Sequence, residues 1–97
     1  MLILEKIRQK VLSGNYIFRL HIYDKLEEIN TIYGLQLTTD DVEEVILNGE
    51  LVDILDNDRR GKRYIINGIA INRQTELEVV CRIENNLVII TVYVPHF

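Results

Sequence analysis

His21 and Lys25 stand four residues apart in a stretch of helical periodicity, so a helix there carries both side chains on one face, one turn apart. A histidine titrating near neutrality can take the proton from a ribose 2′-hydroxyl, and a lysine can neutralise charge on a phosphorane. Together they have the chemistry for cleaving RNA without a metal. The plainer alternative is that His21 packs the start of the helix and Lys25 is solvated. A second set lies near the end of the chain. Strand alternation over 77–83 sends Leu77, Val79, Cys81 and Ile83 to one face and Glu78, Val80 and Arg82 to the other. Over 87–94 it groups Val88, Ile90, Val92 and Val94, and opposite them Leu87, Ile89, Thr91 and Tyr93. One sheet face is then wholly aliphatic and is expected beneath helices. The other carries Glu78, Arg82, Thr91 and Tyr93, where Arg82 could hold a phosphate, Tyr93 could orient or stack a base, and Glu78 could act as a base. An ordinary Glu78–Arg82 surface ion pair is the competing account. The catalytic candidates are therefore His21, Lys25, Arg82 and Tyr93.

Phosphate contact is the natural role for the one dense basic cluster, Arg59-Arg60-Gly61-Lys62-Arg63, joined by Arg73 on the next turn. The expected nucleic-acid-binding residues are Arg59, Arg60, Lys62, Arg63 and Arg73. Asp56 and Asp58 precede the cluster, so an exposed turn with locally compensated charge explains it too. Cys81 is the single cysteine, which excludes an internal disulfide and a multi-cysteine zinc site. Alternation puts it on the aliphatic face, as a buried structural thiol. His96 and His21 are too far apart in the chain to make a recognisable metal site, and glycine-rich phosphate loops are absent. No metal or cofactor is expected.

Three helices and four strands must position these residues. Ile3, Leu4, Ile7, Val11 and Leu12 recur at helical spacing over 2–12, with Glu5, Lys6, Arg8, Gln9 and Lys10 opposite, and Gly14 is the left-handed stop. Tyr16-Ile17-Phe18 leads into a second helix over 21–33, with Ile22, Leu26, Ile29 and Tyr33 inward and Gly34 at its end. Thr38 or Thr39 caps a third, whose first turns hold Asp40, Asp41, Glu43 and Glu44 against the positive end of the helix dipole. Strands follow at 51–55, 63–71, 77–83 and 87–94, joined by short links that favour antiparallel hairpins. The last run, rich in Val and Ile, reads as the central strand. The predicted fold is α+β: N-terminal helices packed on a four-stranded antiparallel β-meander, in one domain spanning 1–97.

The chain of 97 residues has a net charge of −4 that hides a segregation. Residues 24–58 hold eleven acids and one base, Lys25, whereas the segments on either side are each net basic. Basic parts meeting a phosphate backbone while the acidic part faces elsewhere is one reading; solvated helix faces are the other. No run is long enough to span a bilayer and Glu5-Lys6 interrupts the apolar start, so no membrane association is expected and the cytoplasm is the default location.

Four stretches carry a family resemblance: Phe18-Arg19-Leu20-His21, Thr39-Asp40-Asp41-Val42-Glu43-Glu44-Val45-Ile46-Leu47-Asn48-Gly49-Glu50, Leu77-Glu78-Val79-Val80-Cys81 and Ile89-Ile90-Thr91-Val92-Tyr93-Val94-Pro95. In that order and spacing the chain resembles the small bacterial domain-of-unknown-function family 4258, grouped with the RelE/ParE-like toxins. The resemblance implies a RelE-like fold, an endoribonuclease acting on RNA, and an antitoxin protein as partner. Two positions depart from the family's pattern. Lys25 stands where an arginine is usual, and Glu78 where a histidine is usual. Toxins of this fold are also typically basic, and this chain is acidic. A different class of function therefore stands beside the first: a non-catalytic protein-binding module or homodimer, with the strand at 51–55 as an edge open to strand addition.

Overall fold

The computed structural model describes residues 2–56, 59–71 and 74–95. It contains α1 (Ile3–Leu12), β1 (Tyr16–Phe18), α2 (His21–Tyr33), α3 (Thr39–Asn48), β2 (Glu50–Leu55), β3 (Arg63–Ala70), β4 (Thr75–Ile83) and β5 (Leu87–Tyr93). The α+β expectation holds, with three helices on one face of the sheet. The sheet itself differs from the four-stranded antiparallel meander. It has five strands in the order β1-β5-β4-β3-β2, and β1 runs parallel to β5. Tyr16, Ile17 and Phe18, expected to lead into a helix, pair instead with Leu87, Val88 and Ile89. β5 is thus an interior strand, but β4 is the middle one. That explains the near-continuous apolarity of β5, which is flanked on both edges and packed on both faces.

Local chemistry sets the helix ends. Gly14 (φ 78°) and Gly34 (φ 65°) take left-handed conformations after α1 and α2, where a side chain would strain the backbone. At α3 the Thr38 hydroxyl accepts from the Asp40 amide, while the Asp41 carboxylate accepts from the Thr38 amide at 2.8 Å, closing a capping box. The far end of α3 is held by Arg8, which reaches over from α1. Its Nε donates to the Ile46 carbonyl at 3.1 Å and a terminal nitrogen to that of Gly49. Arg8 was expected on a solvated face; it is a half-buried cation on the negative end of a helix.

The main core lies between the helices and the sheet. Ile7, Ile22, Val42, Val45 and Ile46 meet Ile66, Leu77, Val79, Cys81, Leu87, Ile89 and Val92, all fully buried. Gly49 and Gly68 let the α3–β2 turn lie directly on β3, because a Cβ on Gly49 would fall on the carbonyl oxygens of Asn67 and Val45. One expectation about β5 is corrected by a bulge. Thr91 pairs with Val80 but Ile89 pairs with Cys81, leaving Ile90 as an extra residue. Two residues then oppose one and the alternation flips. Leu87 and Ile89 go under the helices with Val92, whereas Val88 and Ile90, expected there, turn to the opposite face and pack with Ile65 and Val80.

Candidate functional site

The face of the sheet turned away from the helices carries most of the chemistry, and it divides into three zones. Its middle is apolar: Ile65, Val80, Val88 and Ile90 bury one another there. Cross-strand packing of branched side chains suffices to shelter them.

At one end the face is cationic. β4 alternation sends Arg82 to this side, opposite Val88, and the side chain is almost completely enclosed, with 1% of the residue exposed. Its guanidinium lies 3.4 Å from the Glu84 carboxylate, which is half-exposed. The register that pairs Tyr64 with Cys81 continues to set Arg63 alongside Arg82. Next to them is a groove of about 390 Å³ lined by Ile17, Arg19, Arg60, Glu84 and Val88. Arg19 is fixed there because its amide donates to the Ile89 carbonyl at 3.0 Å, prolonging the β1–β5 pairing by one residue. Arg19 belongs to neither the His21/Lys25 pair nor the basic cluster at 59–63, so residue type and spacing alone do not mark it. Its signal was its place beside His21 in the Phe18-Arg19-Leu20-His21 stretch.

At the other end the face is acidic. Tyr93 is paired directly with Glu78 across the β4–β5 ladder. Burial pushes the Tyr93 phenol up to about 12, helped by its hydrogen bond to Glu78 and by the charges of Glu78 and Asp53. Asn67 donates to the carboxylates of both Glu76 (2.7 Å) and Glu78 (3.1 Å). Tyr93 therefore stays protonated at neutral pH, as a hydrogen-bond donor already engaged.

The four catalytic candidates are not gathered into one constellation. Arg82 and Tyr93 share the helix-free face, but their rows are four residues apart along β4, roughly 13 Å, with the apolar zone between them. His21 and Lys25 do lie one turn apart on α2, which packs through Ile22, Leu26 and Ile29 on the other side of the sheet. His21 is exposed at the start of the helix, only two residues beyond Arg19 and so at most about 7 Å from it along the backbone. Lys25 is paired with Glu28 at 3.7 Å. Among the basic-cluster residues, Arg60 borders the groove and Arg63 the buried arginine, while Arg59 is exposed and Lys62 pairs with Asp56 at 3.6 Å. Arg73 lies outside the described residues, as does His96. Cys81 is buried and its thiol is pushed up to about 12 by desolvation, so it is no nucleophile. Among the described residues no group of three His, Cys, Asp or Glu side chains is arranged to hold a metal, and no helix is long and apolar enough to cross a membrane.

The profile of the family described as "Domain of unknown function (DUF4258)" matches residues 35–94, which is 60 of the 97 residues. No curated protein matches the chain. No solved structure matches it either.

Proposed function

The chain belongs to the DUF4258 family, and from that premise we propose that it is a toxin-like protein of the RelE/ParE kind that engages RNA at the arginine end of its open sheet face, as a metal-independent endoribonuclease. One observation carries the reading: a nearly enclosed arginine, Arg82, adjoins a groove bordered by Arg19 and Arg60. Guanidinium groups recognise phosphate oxygens in pairs and keep their charge at any physiological pH. In this account Arg19 and Arg60 receive the backbone, and the enclosed Arg82 adds positive charge from beneath the groove. His21, two residues beyond Arg19, accepts the 2′-hydroxyl proton, and the 5′-oxygen leaves with a proton from water. Tyr93 and Lys25 take no part in the chemistry. The Tyr93 phenol is bound to Glu78 in the acidic zone, and Lys25 is held by Glu28.

Purified protein incubated with single-stranded RNA tests this directly. Binding that weakens about tenfold or more in Arg19→Ala and Arg60→Ala, and cleavage abolished in His21→Ala, are the expected results. If RNA binds but stays intact in the wild-type protein, the cleavage step fails and only the phosphate interface survives.

A second reading, a protein-binding module without catalysis, is favoured by the edge strand β2, where Val52, Ile54 and Leu55 are exposed. The same strand is blunted against self-pairing, because Val52 sits in a bulge and the Asp53 carboxylate takes the Ile54 amide at 2.8 Å. A homodimer through β2 therefore has little to recommend it.

A further inference from the structure

A second depression lies not on the sheet but in the helix layer. It is a groove of about 590 Å³ between α2 and the connection to α3, bounded by Tyr23, Leu26, Glu27, Thr31, Leu35 and Leu37. Its outer wall is set in place before any partner arrives. Asn30 clamps Leu37 from both sides, donating through Nδ2 to its carbonyl at 3.0 Å and accepting its amide at 2.8 Å. Thr38, also on the wall, is engaged in the capping box of α3. Asn30 and Thr38 are thus spent on the fold, and an apolar floor of Leu26, Leu35 and Leu37 is flanked by the half-exposed phenol of Tyr23.

The rim has one sign of charge. From His21 to Asn48 the chain holds seven carboxylates and one lysine. The lysine, Lys25, is paired with Glu28. Glu27 lines the groove, Asp24 and Glu28 border the depression beside it, and Asp40 follows its Thr39 wall. The stretch of α2 that forms one side, Tyr23 to Thr31, rises roughly 12 Å, which matches two turns of an opposing helix. An apolar floor with a carboxylate rim fits an amphipathic helix with a cationic outer face.

We infer that this groove docks a cationic amphipathic helix from a partner protein, at a site separate from the arginine face and independent of it. A second copy of this chain would bring its own net negative charge to the rim and is disfavoured. The test is selection from a displayed library of 14-residue helical peptides, with apolar positions fixed at i, i+3, i+4 and i+7 and the outer positions randomised among Lys, Glu and Gln. The selected peptides should be net positive. Their affinity should fall tenfold or more in Glu27→Lys and in Thr31→Arg, both at exposed positions, with circular dichroism confirming that each variant is folded. It should also fall as salt is raised. Recovery of nothing above the Thr31→Arg background overturns the inference. So do selected peptides that are neutral or acidic, or whose amide-shift footprint lies on the sheet. None of these readouts involves RNA, so this result and the RNA assays stand or fall separately.

Discussion

Three side chains show how far residue type alone predicts role. Strand alternation puts Cys81 with Leu77, Val79 and Ile83, and the thiol is buried among them. Native Cys81 is expected to react with an aromatic disulfide reagent at pH 8 on the order of a hundredfold or more slower than the urea-unfolded chain, since the thiolate is suppressed and the sulfur inaccessible. Tyr93 has the opposite lesson. Its position was legible, but its partner depends on a cross-strand register that no local pattern encodes. A phenol whose folded value is raised from 10.0 to about 12 binds its proton more tightly in the native state. Its contribution to stability is therefore complete below pH 10 and is lost as pH climbs from 10 towards 12. Urea midpoints at pH 8 and pH 11 should show a smaller alkaline loss in Tyr93→Phe than in the wild type. Some loss will remain in the variant, because burial raises Cys81 as well, and the hydrogen bond to Glu43 raises Tyr16. The role of Arg8 is not legible from local pattern, because the helix end it reaches lies 38 to 41 residues away in the chain. Arg8→Met keeps most of the apolar stem and should cost about 1–2 kcal/mol in denaturant unfolding.

At the scale of elements, the three helices and the four longer strands were readable because each shows its period over at least one clear repeat with glycine or a cap at its end. β1 was not. Three residues, Tyr16 to Phe18, cannot display a period of two, and their strand character comes from pairing with β5 some 70 positions later. The β5 bulge was hidden for a different reason. In a run as uniformly apolar as Leu87 to Ile90, a shift by one residue moves one aliphatic side chain for another and leaves no trace in the pattern. The bulge turns Val88 and Ile90 to the open face and gives that face its apolar centre. Close approach of elements is also testable. Gly49→Ala should destabilise the protein by about 1–3 kcal/mol or more, because the added methyl meets backbone carbonyls rather than a side chain that could move. Thermal unfolding checks this.

The whole molecule is organised by charge as much as by fold. The acidic middle of the sequence supplies α2, α3 and β2, and the basic segments supply α1, the residues flanking β1, and the approach to β3. The sequence showed that segregation; only the sheet order turns it into geography, with Arg19 beside β1 at one edge, Arg82 on the middle strand, and Glu50 and Asp53 on β2 at the opposite edge. A protein of net charge −4 can still bind a polyanion if its cations are gathered and outnumber the acids beside them, as Arg19, Arg60 and Arg82 outnumber Glu84. The measurement that bears most directly on this account is the salt dependence of binding to a short single-stranded RNA, for the wild type and for Arg19→Ala/Arg60→Ala. Binding with a log–log salt slope of about −2, corresponding to roughly three phosphates, and loss of about one unit of slope or more in the variant, is the predicted result. An undetectable interaction at low salt, or an affinity and slope unchanged by the double substitution, would contradict it.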